Sequence, residues 1–138
     1  MTLDLTSLRR AVSSLKTALA VIEAQKDASE DLYKTLRSGV IKNFEFTYEL
    51  SWKFIQRWIR ENQSPAEVED LRTRKDLFRR AAKYGLIQNP LRWFEYADAR
   101  NETSHTYKEE TAIQVLKQAQ KFLPDVGYLL EQLEQRNA

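Results

Sequence analysis

The chain has 138 residues, of which 42% are hydrophobic and 30% charged, with a formal net charge of +2 and no cysteine. This length is enough for one domain with an ordinary core, and the lack of cysteine excludes disulfides, thiolate metal sites and a cysteine nucleophile. The near-neutral charge does not mark the chain as a nucleic-acid binder. No apolar run reaches the ~18 residues of a membrane helix and the N-terminus does not resemble a signal peptide, so we expect a cytoplasmic protein without membrane contact.

The first predicted helix follows from an apolar stripe. Helix-forming residues dominate the chain and glycine and proline number three each, which predicts an all-α fold. The stripe alternates three- and four-residue spacing and consists of Leu5, Leu8, Val12, Leu15, Leu19 and Ile22. A polar break follows, and Ser29 is the expected N-cap of the second helix, with acids in its first turn.

The second helix is predicted from about Asp31 to about Asn62, and its middle is rich in aromatic residues. One face carries Phe44, Tyr48 and Trp52, and another, roughly 200° away, carries Phe46, Leu50, Phe54 and Trp58. Glu49 and Lys53 are spaced as an i,i+4 ion pair. A helix that is apolar on two sides is either central in a bundle or shared with a partner chain, and we predict a homodimer.

Capping signals divide the rest of the chain. Ser64-Pro65-Ala66-Glu67 is a capping box that opens a short helix, which Thr73 restarts. Gly85 is a typical helix terminator, and Asn89-Pro90 opens the next helix. A second capping box at residues 106–109 predicts a last helix that begins near Thr106. The chain is therefore predicted to be one domain over residues 1–138, an antiparallel four-helix up-and-down bundle with an extra short helix.

The polar stretch from Asp98 to Tyr107 contains the single histidine of the chain. His105 is a candidate general acid or base for a ribose 2′-hydroxyl. Arg100 is a candidate for binding a phosphate and stabilising its growing charge. With Asn101 and Tyr107 beside them, these groups suit metal-independent phosphodiester cleavage. Such cleavage needs both a base and an acid, and a two-fold dimer would supply a second histidine.

Helix geometry limits this interpretation. Arg100 and His105 are about 140° apart on an ideal helix, so they converge only if the helix ends between them or if a partner chain supplies one of them. The alternatives are structural. His105 would then stabilise a helix C-terminus, Arg100 would pair with Asp98 or Glu102 on the surface, and Tyr107 would be an ordinary half-buried tyrosine.

Two basic stripes are candidates for contact with an RNA backbone. They consist of Arg72, Lys75, Arg79 and Lys83, and of Lys53, Arg57 and Arg60. Given the near-neutral total charge, the favoured interpretation of either stripe alone is a solvated helix face. No cofactor is expected, because the sequence contains no glycine-rich phosphate loop and no metal-ligand cluster, and a nucleotidyltransferase active site is likewise absent.

Three segments resemble one family in the right order. The residues from Arg100 to Tyr107 are similar to the Arg-x4-His-x-Tyr signature of HEPN-domain proteins. The nearest branch is that of the nucleotidyltransferase substrate-binding proteins, which are the HEPN toxins of HEPN–MNT toxin–antitoxin pairs. Residues 41–53 resemble its second-helix motif and residues 76–87 its third-helix segment.

The resemblance implies a helical bundle that dimerises and cleaves RNA without a metal at a cleft between the chains. Arg100 and His105 would be catalytic and Asn101 would support them. The implied partner is a minimal nucleotidyltransferase (MNT) antitoxin, which would silence the toxin by transferring AMP to Tyr107. The family name implies an alternative, a non-catalytic subunit that binds substrate or nucleotide for a two-component nucleotidyltransferase. A helical dimerisation partner without chemistry is a third hypothesis.

Overall fold

The protein is described by a computed structural model that covers residues 2–137, so the two terminal residues of the predicted domain lie outside the described range. Within that range the chain forms six α-helices, one short 3₁₀ helix and no β-strand. The helices are α1 (Thr6–Ala24), α2 (Glu30–Asn62), α3 (Pro65–Glu69), α4 (Arg74–Lys83), α5 (Pro90–Glu102) and α6 (Glu109–Gln135), with the 3₁₀ helix at Thr103–His105. The all-α prediction is confirmed. Across residues 2–137, no helix combines the length and the apolar character needed to cross a bilayer.

Four helices make the bundle. α1 packs against α2 and α6, and α5 packs against α6 and α2. The side chain of Asn137 forms two 2.8 Å hydrogen bonds with the backbone of Leu3, one to its N–H and one to its C=O. The start of α1 therefore lies beside the end of α6, as an antiparallel bundle requires. The predicted extra helix consists of two short ones, α3 and α4, because the chain leaves helical geometry between them.

Three of the predicted capping residues, Ser29, Ser64 and Thr73, act as caps. The hydroxyl oxygens of Ser29, Ser64 and Thr73 accept hydrogen bonds from backbone N–H groups three residues later, at 3.1–3.2 Å. Each bond satisfies one of the N–H groups that a helix leaves free at its start. Gly85 follows α4 with a φ of 77°, a conformation that favours glycine. These local signals set the helix boundaries that the sequence predicted.

An aromatic cluster fixes three helices relative to one another. The Phe122 ring of α6 lies 5.2 Å from that of Phe44 on α2, and 5.4 and 5.0 Å from those of Trp93 and Tyr96 on α5, each in an edge-to-face arrangement. All four side chains are at most 1% exposed. Such pairs add to the free energy of burial and restrict the ring orientations. The end of α5, where the polar stretch begins, is thereby held against α2 and α6.

Neighbours within the chain cover most of the second aromatic face of α2. Phe54 and Trp58 are 3% and 7% exposed, whereas Phe46 is 58% exposed. Trp58 is covered by the Tyr84 ring at 5.8 Å and by the Arg136 guanidinium at 5.5 Å. The area that this face leaves for a partner chain is therefore smaller than its sequence indicates, and the homodimer stays a prediction.

Candidate functional site

Arg100, in the last turn of α5, is bound by side chains from two elements. Its Nε donates to Glu49 Oε1 of α2 at 3.0 Å and its Nη1 donates to Thr103 Oγ1 at 3.2 Å. Its Nη2 lies 3.6 Å from Glu45 Oε1, also on α2. The arginine side chain is 32% exposed. These contacts hold the guanidinium group in one place at the side of the bundle.

The held guanidinium retains binding capacity. An arginine has five N–H donors, and the two hydrogen bonds of Arg100 leave three of them without an acceptor among the described residues. The side chain lines a surface pocket of about 320 Å³, here called the Arg100 pocket, whose lining is Tyr48, Glu49, Arg74, Ala97, Arg100 and Asn101. Two guanidinium groups and an amide therefore border one recess, a donor set that suits an anionic oxygen ligand.

The helix ends between Arg100 and His105. α5 stops at Glu102, and residues Thr103–His105 form a single 3₁₀ turn. The predicted start of the last helix near Thr106 is wrong, since α6 begins at Glu109. The Thr106 hydroxyl donates to the carbonyl oxygen of Thr103 at 3.2 Å, so it completes the turn instead of capping α6. The break that the two candidate residues need in order to converge is thus present.

His105 and Tyr107 project from this turn. His105 is exposed, and its ring lies 6.3 Å from that of Tyr107 in an edge-to-face arrangement. Tyr107 is 79% exposed, and the Lys108 Nζ lies 5.9 Å from its ring centre. The structure thus brings the rings of His105 and Tyr107 together and places Arg100 and Asn101 at one pocket, with no hydrogen bond between Arg100 and His105 among the described residues.

An ion pair anchors the chain directly after the turn. The buried Arg37 of α2 forms two hydrogen bonds, at 2.6 and 2.8 Å, with the carboxylate of Glu109, the first residue of α6. Paired, parallel hydrogen bonds of this kind fix orientation as well as distance. The guanidinium lowers the pKa of the Glu109 carboxyl below its usual value. The segment from Thr103 to Lys108 is therefore held at both ends.

Sequence reasoning missed the carboxylates that bind Arg100. It offered Asp98 or Glu102 as surface partners of this arginine, and it paired Glu49 with Lys53. Instead, both carboxylate oxygens of Glu49 are occupied, Oε1 by Arg100 and Oε2 by the indole N–H of Trp52 at 3.0 Å. The sequence did contain a signal for these partners, because Glu45 and Glu49 lie on the same face of α2, between its two aromatic faces.

Comparison with known proteins identifies the family. A family model described as "Nucleotidyltransferase substrate binding protein like" matches residues 3–135, which is almost the whole chain. The chain belongs to this family. The predicted resemblance to the nucleotidyltransferase substrate-binding branch of the HEPN proteins is thereby confirmed.

Relatives of known sequence or structure agree with this assignment. The chain is 43% identical over 103 residues to the "Probable ribonuclease HepT" of Haemophilus influenzae, covering 75% of this chain and 70% of that one. A solved structure from the same organism, described as the fold of a substrate binding domain of a nucleotidyltransferase, superposes with a TM-score of 0.88 at 35% identity, over 95% of this chain and 99% of that one. A crystal structure from Thermus thermophilus has a TM-score of 0.65 at 26% identity, over 86% of this chain and 98% of that one.

Proposed function

We propose that this protein is a HEPN toxin-like endoribonuclease that cleaves RNA without a divalent metal, with Arg100 and His105 as its catalytic residues and Asn101 in support. The observation that carries the proposal is the geometry around Thr103. A half-buried arginine with unused N–H donors lies on one side, and an exposed histidine lies on the other. The relative named "Probable ribonuclease HepT" supports the same activity.

The proposed reaction uses the neighbouring hydroxyl of the substrate. The imidazole of His105 accepts the proton of a ribose 2′-hydroxyl, and the 2′-oxygen forms a bond to the adjacent phosphorus. The bond from phosphorus to the 5′-oxygen breaks, and that oxygen takes a proton from a second acid. The products are a 2′,3′-cyclic phosphate and a free 5′-hydroxyl. Arg100 stabilises the negative charge that grows on the phosphate oxygens.

A homodimer would supply the second acid. The chain has one histidine, so the protonated His105 of the partner subunit is the natural proton donor to the leaving oxygen. Two subunits meeting at this end would also bring the Arg100 of one chain to the His105 of the other. The exposed Phe46, on the same helix as Glu45 and Glu49, offers an apolar contact for such an interface.

Regulation by AMP fits the surroundings of Tyr107. A minimal nucleotidyltransferase partner would bind ATP, and the Tyr107 oxygen would attack its α-phosphorus while pyrophosphate leaves. Tyr107 is 79% exposed, so a partner enzyme has access to its hydroxyl. The attached phosphate would add negative charge and bulk beside His105, whose ring Tyr107 already contacts. RNA would then be excluded from the site.

Cleavage of labelled RNA in excess EDTA tests the proposal. We expect wild-type protein to cut single-stranded RNA and to leave cyclic phosphate ends. His105→Ala and Arg100→Ala should each lower the rate by about 10²–10⁴-fold, the usual contribution of a general acid–base group or a charge-stabilising donor. Arg10→Ala, an exposed arginine on α1, is the control. Cleavage that requires a divalent metal, or that survives His105→Ala, would contradict the proposal.

The second candidate is a non-catalytic subunit that binds substrate or nucleotide for a nucleotidyltransferase. The related Haemophilus influenzae structure is described as a substrate binding domain of such an enzyme, and the Arg100 pocket has donors for a phosphate. This candidate predicts that ATP binds to the free protein, that Arg100→Ala weakens the binding, and that no RNA is cut. Isothermal titration calorimetry with ATP, combined with the RNA cleavage assay in EDTA, distinguishes the two functions.

A further inference from the structure

A second recess adjoins the Arg100 pocket. It has a volume of about 400 Å³ and is lined by Trp52, Gln56, Leu71, Arg72, Thr73, Arg74 and Leu77. We call it the Trp52 recess. Arg74 lines both recesses, so they are neighbours on one continuous surface that runs from the end of α5 to the start of α4. A ligand bound at Arg100 would have its next unit close to Trp52.

Cations and aromatic rings alternate on this surface. The Arg74 guanidinium carbon lies 3.4 Å from the centre of the Trp52 ring, and the Lys53 Nζ lies 5.6 Å from the same ring. Further along, the Lys75 Nζ lies 5.5 Å from the Phe94 ring. Surfaces that bind single-stranded nucleic acid combine these two groups, since cations contact the backbone and flat groups stack with bases.

The cations at the centre of the surface are not neutralised. Arg72, Arg74 and Lys75 have no carboxylate within 4 Å among the described residues, whereas Arg79 pairs with Asp76 and Arg80 pairs with Glu67. The nearby Glu49 is already occupied by Arg100 and by the Trp52 indole. Within the predicted stripe, the structure therefore distinguishes the paired Arg79 from the unpaired Arg72 and Lys75, which sequence spacing alone cannot do.

We propose that the Trp52 recess is a binding subsite for single-stranded RNA, which holds the nucleotide adjacent to the one at Arg100. Arg72 contacts its phosphate, and its base stacks on the Arg74 guanidinium, which itself lies over the Trp52 ring. The subsite rests on the proposed function for its orientation, because Arg100 marks where the cleaved phosphate lies. It is a positioning surface and contains no catalytic residue.

RNA binding separates this proposal from the cleavage chemistry. The probe is a fluorescein-labelled 12-nucleotide single-stranded RNA of mixed sequence. Its anisotropy is measured at several salt concentrations with His105→Ala protein, so that the RNA stays intact. In this background, Arg72→Ala with Arg74→Ala should raise Kd by about tenfold or more. The slope of log K against log salt should fall by about 0.7, because Arg72 makes the phosphate contact and each such contact contributes about 0.7 for a single strand. The matched control is Arg10→Ala with Lys16→Ala, two exposed cations on α1.

Tryptophan fluorescence gives an independent measurement. Trp58 and Trp93 are buried, and Trp52 is the partly exposed tryptophan. RNA should therefore quench the emission of His105→Ala protein, which leaves the RNA intact, and Trp52→Phe in the same background should remove that quenching while leaving a ring for stacking and a folded protein.

Three outcomes would overturn the subsite: no RNA binding even at low salt, equal losses in the Arg72/Arg74 and Arg10/Lys16 double variants, or loss of nucleotidyltransferase binding in the Arg72/Arg74 variant with RNA binding unchanged. The last would identify the surface as a protein interface. RNA binding that depends on Arg72 and Arg74, in a wild-type protein that does not cleave, would support the subsite and reject the ribonuclease.

Discussion

The residues on the two sides of Thr103 have contrasting surroundings. Before it, Arg100 is bound by Glu49 and Thr103 and lies near Glu45. After it, His105 and Tyr107 are exposed and contact mainly each other. A cation that must bind phosphate in one orientation benefits from being fixed in advance. A proton-transfer group that a second subunit completes, and a tyrosine that a partner enzyme modifies, must stay accessible. The contrast is the arrangement that the proposed function requires.

Among the variants that test this contrast, the largest loss of RNA cleavage is expected when Arg100 loses a contact that holds its guanidinium in place. Glu49→Ala removes the acceptor of the Arg100 Nε hydrogen bond, so the guanidinium samples more orientations and RNA cleavage should fall by about tenfold. The loss should appear in kcat more than in KM. Glu49→Gln keeps an oxygen acceptor and should recover part of the rate. An unchanged kcat in Glu49→Ala would mean that the contact does not position Arg100 for catalysis.

The free energy of unfolding should distinguish Arg100 from His105, although both residues are expected to be needed for RNA cleavage. Arg100→Ala removes the cation of Glu49 and leaves Glu45 with Lys42 alone, so it should lower the free energy of unfolding by about 1 kcal/mol, as for partly exposed ion pairs. His105→Ala removes an exposed ring and should leave that free energy unchanged within error. Urea denaturation of both variants measures the difference. A large loss in His105→Ala would indicate buried contacts that the exposed position does not provide.

The turn that carries His105 should become less well anchored in acid. Arg37 lowers the pKa of Glu109 in the folded protein, so the ion pair stabilises the fold at pH values above the usual carboxyl pKa. That contribution is lost as the pH falls through the lowered folded pKa. Glu109→Gln should therefore reduce Tm at pH 7, and its difference from wild type should shrink as the pH falls below the usual carboxyl pKa. A difference that stays the same across this pH range would assign the effect to packing.

Local chemistry explains what could be predicted from the sequence. Ser29, Ser64 and Thr73 cap helices with their own side chains, so their neighbours in sequence reveal them. The partner of Arg100 could not be found in this way, because Glu49 lies 51 residues away and competes with acids that are closer in sequence. The prediction at Thr106 was wrong because the chain stays in the turn, where the Thr106 hydroxyl donates to the Thr103 carbonyl, and becomes helical only at Glu109. Helical periodicity likewise cannot say that Tyr84 and Arg136 cover Trp58.

The smallest effect on RNA cleavage is expected at Tyr107, an exposed candidate site residue on the far side of Thr103 from Arg100. Tyr107→Phe keeps the ring that contacts His105 and removes an exposed hydroxyl, so the RNA cleavage rate should stay within about twofold of wild type, as is usual for surface changes. Intact mass after co-expression with a minimal nucleotidyltransferase, the proposed partner, should show added AMP on wild type and none on the variant. AMP on Tyr107→Phe would place the acceptor elsewhere. If AMP addition abolishes cleavage by the wild type but leaves Tyr107→Phe active, the exposed position of Tyr107 serves regulation. The fixed position of Arg100 would then serve the chemistry.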